Sequence, residues 1–230
     1  MINNFQTGIN MKKAFTMLEL VFVIVVAGIL AAVIIPNTRT NPVQEAAIQL
    51  VSHIRYAQHL AMVDDQFDSS NANWYKERWQ LIFQMSSTHT EGKYTYTIFS
   101  DKVSTSGTPH DGLPNLTNNE IAMDPANSEK FLSGGTPSLY TSDSRSNKKM
   151  NLGLSYGINS YTLGGGCSGV QIAFDNLGRP LFNKLDDYTS SYKAGELITS
   201  TCIVTLNHPN EDSVEIHIEP ETGYAHIEQI

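Results

Sequence analysis

An α+β fold is predicted, with a long N-terminal helix packed on an antiparallel β-sheet domain, and three observations predict it. Sixteen uncharged, almost wholly apolar residues run from Leu20 to Ile35. Apolar residues then recur at helical spacing from Val43 to Ala61. After them come short segments rich in β-branched and aromatic residues, bounded by Gly, Asn, Asp or Pro. Helix first and strands afterwards is the α+β order.

The first element is set by length. A helix from Phe15 to Ile35 holds 21 residues and rises about 31 Å, close to the roughly 30 Å hydrocarbon core of a bilayer. The sequence therefore predicts a single transmembrane helix over 15–36, behind a short basic segment at Lys12-Lys13. Pro36 and Pro42 interrupt the helical register. Asn41 offers an N-cap, Pro42 a first helical residue without an N–H, and Gln44 an amide three residues after the cap, so a second helical stretch begins there. Val43, Ala47, Leu50, Ile54, Ala57 and Ala61 give it one apolar face, extending the amphipathic helix across 37–66.

Strands are predicted at Trp79–Met85, Tyr94–Phe99, Val170–Phe174, Ile198–Leu206 and Val214–Ile218 within a β-rich domain over 67–230. Between them, Ser104–Asn151 is crowded with Ser, Thr, Asn, Gly and Pro, and reads as an extended insertion of loops at about 102–151. With leader and span removed, the rest of the 230-residue chain is enough for one modest core.

Charge sets the orientation. Lys12 and Lys13 precede the apolar run with no acidic residue before them, and Arg39 is the only basic residue close behind it. The positive-inside rule then puts the N-terminus in the cytoplasm and the bulk of the chain outside. Cys167 and Cys202, the only cysteines, both fall in that exported part, where oxidation is permitted. A disulfide between them would contribute about 3 to 4 kcal/mol on the chain-entropy model. Two buried free thiols are the alternative. The net charge is −8, of which Lys12, Lys13 and Glu19 contribute +1 and the part from Asn37 onward −9. Broad electrostatic binding of nucleic acid is disfavoured by that balance.

Glu19 is the oddity of the apolar run, because a carboxylate inside such a span calls for a partner. The stretch Lys12-Lys13-Ala14-Phe15-Thr16-Met17-Leu18-Glu19-Leu20, continued through Gly28-Ile29-Leu30-Ala31-Ala32 to Pro36, resembles the processing site and helix of type IV prepilins and type II secretion pseudopilins. Two further segments are similar to the H-type minor pseudopilins and FimT-like minor pilins: Phe174-Asp175-Asn176-Leu177-Gly178-Arg179-Pro180, and Val214–Ile218 followed by Thr222-Gly223-Tyr224. The resemblance implies a pilin-like fold and a leader over 1–14. A prepilin peptidase would cut between Ala14 and Phe15, and the new N-terminus, Phe15, would be N-methylated. Glu19, fifth in the mature chain, would pair with the Phe15 amine of a neighbouring subunit and set register in a filament. The family usually carries Gly where Ala14 stands; alanine is also small. Met11 is an alternative start for such a leader.

As implied partners, the resemblance gives other pilin or pseudopilin subunits, the prepilin peptidase, an assembly ATPase, the inner-membrane assembly platform and the membrane itself. It implies an inner-membrane subunit with its C-terminal domain in the periplasm before assembly into a pseudopilus or pilus.

No enzymatic activity, cofactor or metal is expected. The seven histidines are scattered, with no His-Glu-x-x-His, paired Cys-x-x-Cys or phosphate-binding glycine loop. Glu215, His217 and Glu219 share one strand face by alternation. That face reads as solvated, with metal ligation the lesser alternative. Gly164-Gly165-Gly166 reads as a flexible turn. Two other function classes stay open. One is a secreted binding protein whose apolar run is an ordinary signal peptide cut near Ala31-Ala32. The other is a tethered periplasmic enzyme using the Glu215, His217 and Glu219 face.

Overall fold

Asn41 begins the larger part of the molecule. Its Oδ1 accepts from the backbone N–H groups of Val43 (3.1 Å) and Gln44 (3.2 Å). Pro42, which has no N–H to satisfy, takes the first helical position. The computed structural model describes residues 16–34, 41–103, 110–182, 184–191 and 195–228. It divides into two compact units, Met1–Thr40 and Asn41–Ile230.

In the first unit the helix α1 spans Met17–Ile34. In the second, the helix α2 spans Pro42–Val63 and buries Val43, Ala46, Ala47, Leu50, Val51, Ile54, Ala57 and Ala61. Each fully buried Val, Leu or Ile stabilises by about 1.5–3 kcal/mol. The alanines bring the helix close to what it covers. That is two antiparallel sheets rather than one.

The first sheet contains β1 (Trp79–Met85), β2 (Tyr94–Ser100), β6 (Gln171–Phe174) and β7 (Pro180–Leu181), in the order β2-β1-β6-β7. The second contains β5 (Ser160–Gly165), β8 (Cys202–Asn207), β9 (Val214–Ile218) and β10 (Ala225–Glu228), in the order β10-β9-β8-β5. A two-stranded ribbon, β3 (Met123–Asp124) with β4 (Asn127–Phe131), a short helix α3 (Leu152–Tyr156) and three 3₁₀ turns (Trp74–Glu77, Lys148–Met150 and Leu185–Asp187) complete the described elements.

Alternation decides which side of the second sheet is buried. Cys202, Val204 and Leu206 on β8 and Ile216 and Ile218 on β9 are buried, and the residues between them are half-buried. These residues share one core with α2, Leu81 and Phe83 of β1, Tyr96 and Ile98 of β2, and Ile172 and Phe174 of β6. A smaller cluster holds Tyr75, Ala173, Leu181, Leu185 and Tyr188. β1, bonded on both edges and buried over its first five residues, reads as a nearly continuous apolar run for that reason.

The predicted architecture needs correction. A single long helix running from the span onto one sheet is not found among the described residues: α1 (Met17–Ile34) and α2 (Pro42–Val63) are distinct elements, and α2 packs on the sheets. Asn41 and Pro42 are the physical reason, because together they start a new helix rather than continue one.

The single-pass inner-membrane localisation, with a cytoplasmic N-terminus and a periplasmic domain, is corrected as well, and the transmembrane-helix assignment goes with it. Among the described residues no helix is long and apolar enough to cross a membrane. The 18 residues of α1 rise about 27 Å, and the part beyond Glu19 only about 22 Å, against a hydrocarbon core of about 30 Å.

The segment read as an insertion of loops is knitted to the sheet. Along the outer edge of β2, Ile98 N–H donates to Leu132 O (2.9 Å), Ser100 N–H to Glu120 O (2.9 Å), Gly134 N–H to Tyr96 O (3.1 Å) and Ala122 N–H to Ile98 O (3.0 Å). Ile121, Ala122, Leu132, Leu139 and Met150 from this segment are buried. The glycines read as a flexible turn also differ. Gly164 and Gly165 pair with Ile203 and Cys202 as the end of β5.

Candidate functional site

Three places collect the residues singled out in the sequence. The first is α1. Ala14 and Phe15, the expected cleavage and methylation residues, lie outside the described residues. Glu19 is in the first turn of α1 and exposed. Its backbone N–H donates to Thr16 Oγ1 (3.2 Å), and Leu20 N–H donates to Thr16 O (3.1 Å). Thr16 is therefore the N-cap and Glu19 the third helical residue, the positions of a capping box. An acid there also meets the positive end of the helix dipole. Sequence reading missed this local role, although Thr-x-x-Glu was its visible signal.

Beyond Glu19, Val21, Phe22, Val23, Ile24, Val25, Ile29 and Leu30 are all exposed within the described unit. Apolar side chains that occupy every face of a helix require a cover.

The second place joins the two C-terminal motifs. Asp175, buried at the end of β6, folds the Phe174–Pro180 turn around its carboxylate. Oδ1 accepts from Leu177 N–H (3.0 Å) and Arg179 N–H (2.8 Å), and Oδ2 pairs with the Arg179 guanidinium (2.7 Å). From α2, Gln58 Nε2 donates to Gly178 O (2.8 Å) in this turn and to Thr222 O (2.7 Å) in the β9–β10 turn. One turn earlier on α2, Arg55 donates through Nε and Nη2 to Ala225 O (2.9 and 2.7 Å) and lies over the Tyr224 ring. Neither Arg55 nor Gln58 was legible as a site residue, since polar side chains on an amphipathic helix ordinarily face water.

Gly223 closes the junction. Its φ is +64°, and a Cβ there would stand 2.2 Å from Gly178 O and 2.5 Å from Gln58 Nε2. Gly223→Ala is expected to lower stability by about 2–3 kcal/mol, combining the left-handed backbone penalty with a backbone clash. Denaturant titration checks it; a loss under about 0.5 kcal/mol would show that the two turns do not pack this closely.

The third place is the outer face of the second sheet. Glu215, His217 and Glu219 are half-buried there, opposite the buried Ile216 and Ile218. On the same sheet, Cys202 is joined to Cys167 by a disulfide with Cα atoms 4.9 Å apart. His53 Nδ1 contacts the Tyr96 hydroxyl (2.7 Å), and burial lowers its imidazole to about 4. Asp101 behaves oppositely. Burial, then the neighbouring Glu120 and Asp111, raise its carboxyl to about 7, although Gly112 N–H donates to its Oδ2 (2.8 Å) and works the other way.

Comparison of the chain with protein-family models, with curated proteins and with solved structures finds no match.

Proposed function

We propose that the chain is a non-enzymatic structural subunit, a minor pilin-like component of a type II secretion pseudopilus or type IV pilus, processed by a prepilin peptidase and assembled through its N-terminal helix. The observation that carries the reading is α1, apolar on every exposed face with Glu19 as its one charged residue. Helices of neighbouring subunits would remove that surface from water at roughly 25 cal/mol per Å². Glu19 then has two roles: it is the acid in the first turn of α1, facing the positive end of the helix dipole, and its carboxylate meets the Phe15 amine of a neighbour. A carboxylate buried without such a partner is strongly unfavourable, so the pair would fix which subunit register is allowed.

Incorporation tests this. With the chain expressed beside its filament subunits, wild type is expected in the sheared-filament fraction and in cross-links to them. Glu19→Gln keeps the side-chain shape and removes the charge, and is expected to lower incorporation at least about tenfold at unchanged protein level, the equivalent of 1.4 kcal/mol. Phe22→Asp is expected to abolish it. Equal incorporation of all three proteins would overturn the reading, as would a mature N-terminus elsewhere than Phe15.

A further inference from the structure

The β9–β10 hairpin brings His226 to the face that carries His217 and Glu219. His226 is the direct cross-strand partner of His217, and Glu219 follows His217 by two residues on the same side of β9. One ligand atom from each of the three side chains lies within 4.8 Å of the others. The two rings are edge to face, with centroids 5.7 Å apart.

We propose that His217, Glu219 and His226 form a binding site for a borderline divalent cation of the zinc type. Two imidazoles and one carboxylate are the donor set of three-ligand zinc sites, whose fourth position stays open to water or a further ligand. The surroundings hold these ligands in place. Glu215 Oε2 lies 3.3 Å from His217 Nε2, and Glu228 Oε2 lies 3.5 Å from His226 Nε2. A carboxylate on Nε2 favours the Nε2–H tautomer and leaves the Nδ1 lone pair for a metal. His226 Nδ1 is buried and has no hydrogen-bond partner, which is unfavourable for a polar atom unless something ligates it. Thr201 Oγ1 donates to Glu219 Oε2 (3.0 Å), orienting the carboxylate, and the Tyr224 ring stacks on His226 with centroids 5.3 Å apart.

Such a cation ties β9 to β10 beside the turn that Arg55 and Gln58 hold. Nitrogen donors select against calcium and magnesium, which take oxygen. The site is independent of α1, so its fate and that of the assembly reading are measured separately.

The metal-free full-length chain is titrated with Zn²⁺ by calorimetry and with Co²⁺ by visible absorption. Expected are one Zn²⁺ per chain and the absorption bands of a four-coordinate cobalt site, with excess Ca²⁺ displacing neither ion. His217→Ala and His226→Ala should each raise Kd at least tenfold, with circular dichroism unchanged. Thr201→Val, which touches only the orienting hydroxyl, should raise it about tenfold or less. His59→Ala should leave it unaltered. His217→Gln serves in place of any alanine variant that loses its fold. Absence of stoichiometric binding, binding unchanged in the His217 and His226 variants, or displacement by Ca²⁺ would overturn the proposal.

Discussion

The double variant Cys167→Ala/Cys202→Ala should lose about 4 kcal/mol of stability, with a melting temperature lower by roughly 8–15 °C. The cause is topological. After β5 the chain leaves the second sheet, contributes β6 and β7 to the first, and returns as β8. The disulfide closes that excursion with a sequence separation of 35. Its stabilisation comes mainly from restricting the unfolded chain, so it scales with the loop that it closes. Both cysteines are buried, and replacing both avoids leaving one reactive thiol. Wild type melted in excess reductant should coincide with the variant. A shift below about 2 °C would mean that the excursion holds its place without the bond.

Asp101 and His53 make opposite contributions over nearly the same pH range. The folded-state Asp101 carboxyl is raised from 3.8 to about 7, so between those values the folded chain holds a proton that the unfolded chain has released. Stability from this group therefore falls as pH rises from about 4 to 7. The His53 imidazole is lowered from 6.5 to about 4, so the folded chain binds less proton there than the unfolded one. Its contribution is complete above 6.5 and is lost as pH falls toward 4. The two slopes offset each other in wild type.

Asp101→Asn keeps an acceptor for Gly112 N–H and removes the buried charge. It should stabilise the protein at pH 8 by about 2–4 kcal/mol, from roughly three pH units at 1.36 kcal/mol each, and by almost nothing at pH 4. The variant should then show a steeper loss of stability toward acid, because His53 acts unopposed. Urea unfolding at both pH values measures this. An equal gain at the two pH values would assign the effect to packing rather than to the carboxylate.

Periodicity made some elements readable and topology hid the others. The α2 face from Val43 to Ala61 and the strand at Val214–Ile218 follow from spacing alone, because each has one wet and one dry side. β5 ends in two glycines, and β7 is two residues long and begins with Pro180, so neither carries a strand signal. β4, Asn-Ser-Glu-Lys-Phe, is polar because it is exposed over most of its length. Two sheets were read as one because nothing in a strand's composition says which sheet it joins.

The same limit applied at the sites. His217 and Glu219 could be grouped by alternation, whereas His226 belongs with them only through strand pairing. The apolar run was read as a helix from Phe15 to Ile35, and the helix is described over Met17–Ile34.

A strand edge with bare N–H and C=O groups is a template on which another chain can add a strand. On β2 those groups are occupied from within, by the backbone of Glu120, Ala122, Leu132 and Gly134. The polar, turn-rich stretch that looks dispensable in the sequence therefore seals the Tyr96–Ser100 side of the domain against edge-to-edge stacking between copies. Strand exchange on that side would first require the chain to peel off its own segment and expose Ile121, Ala122 and Leu132 to water.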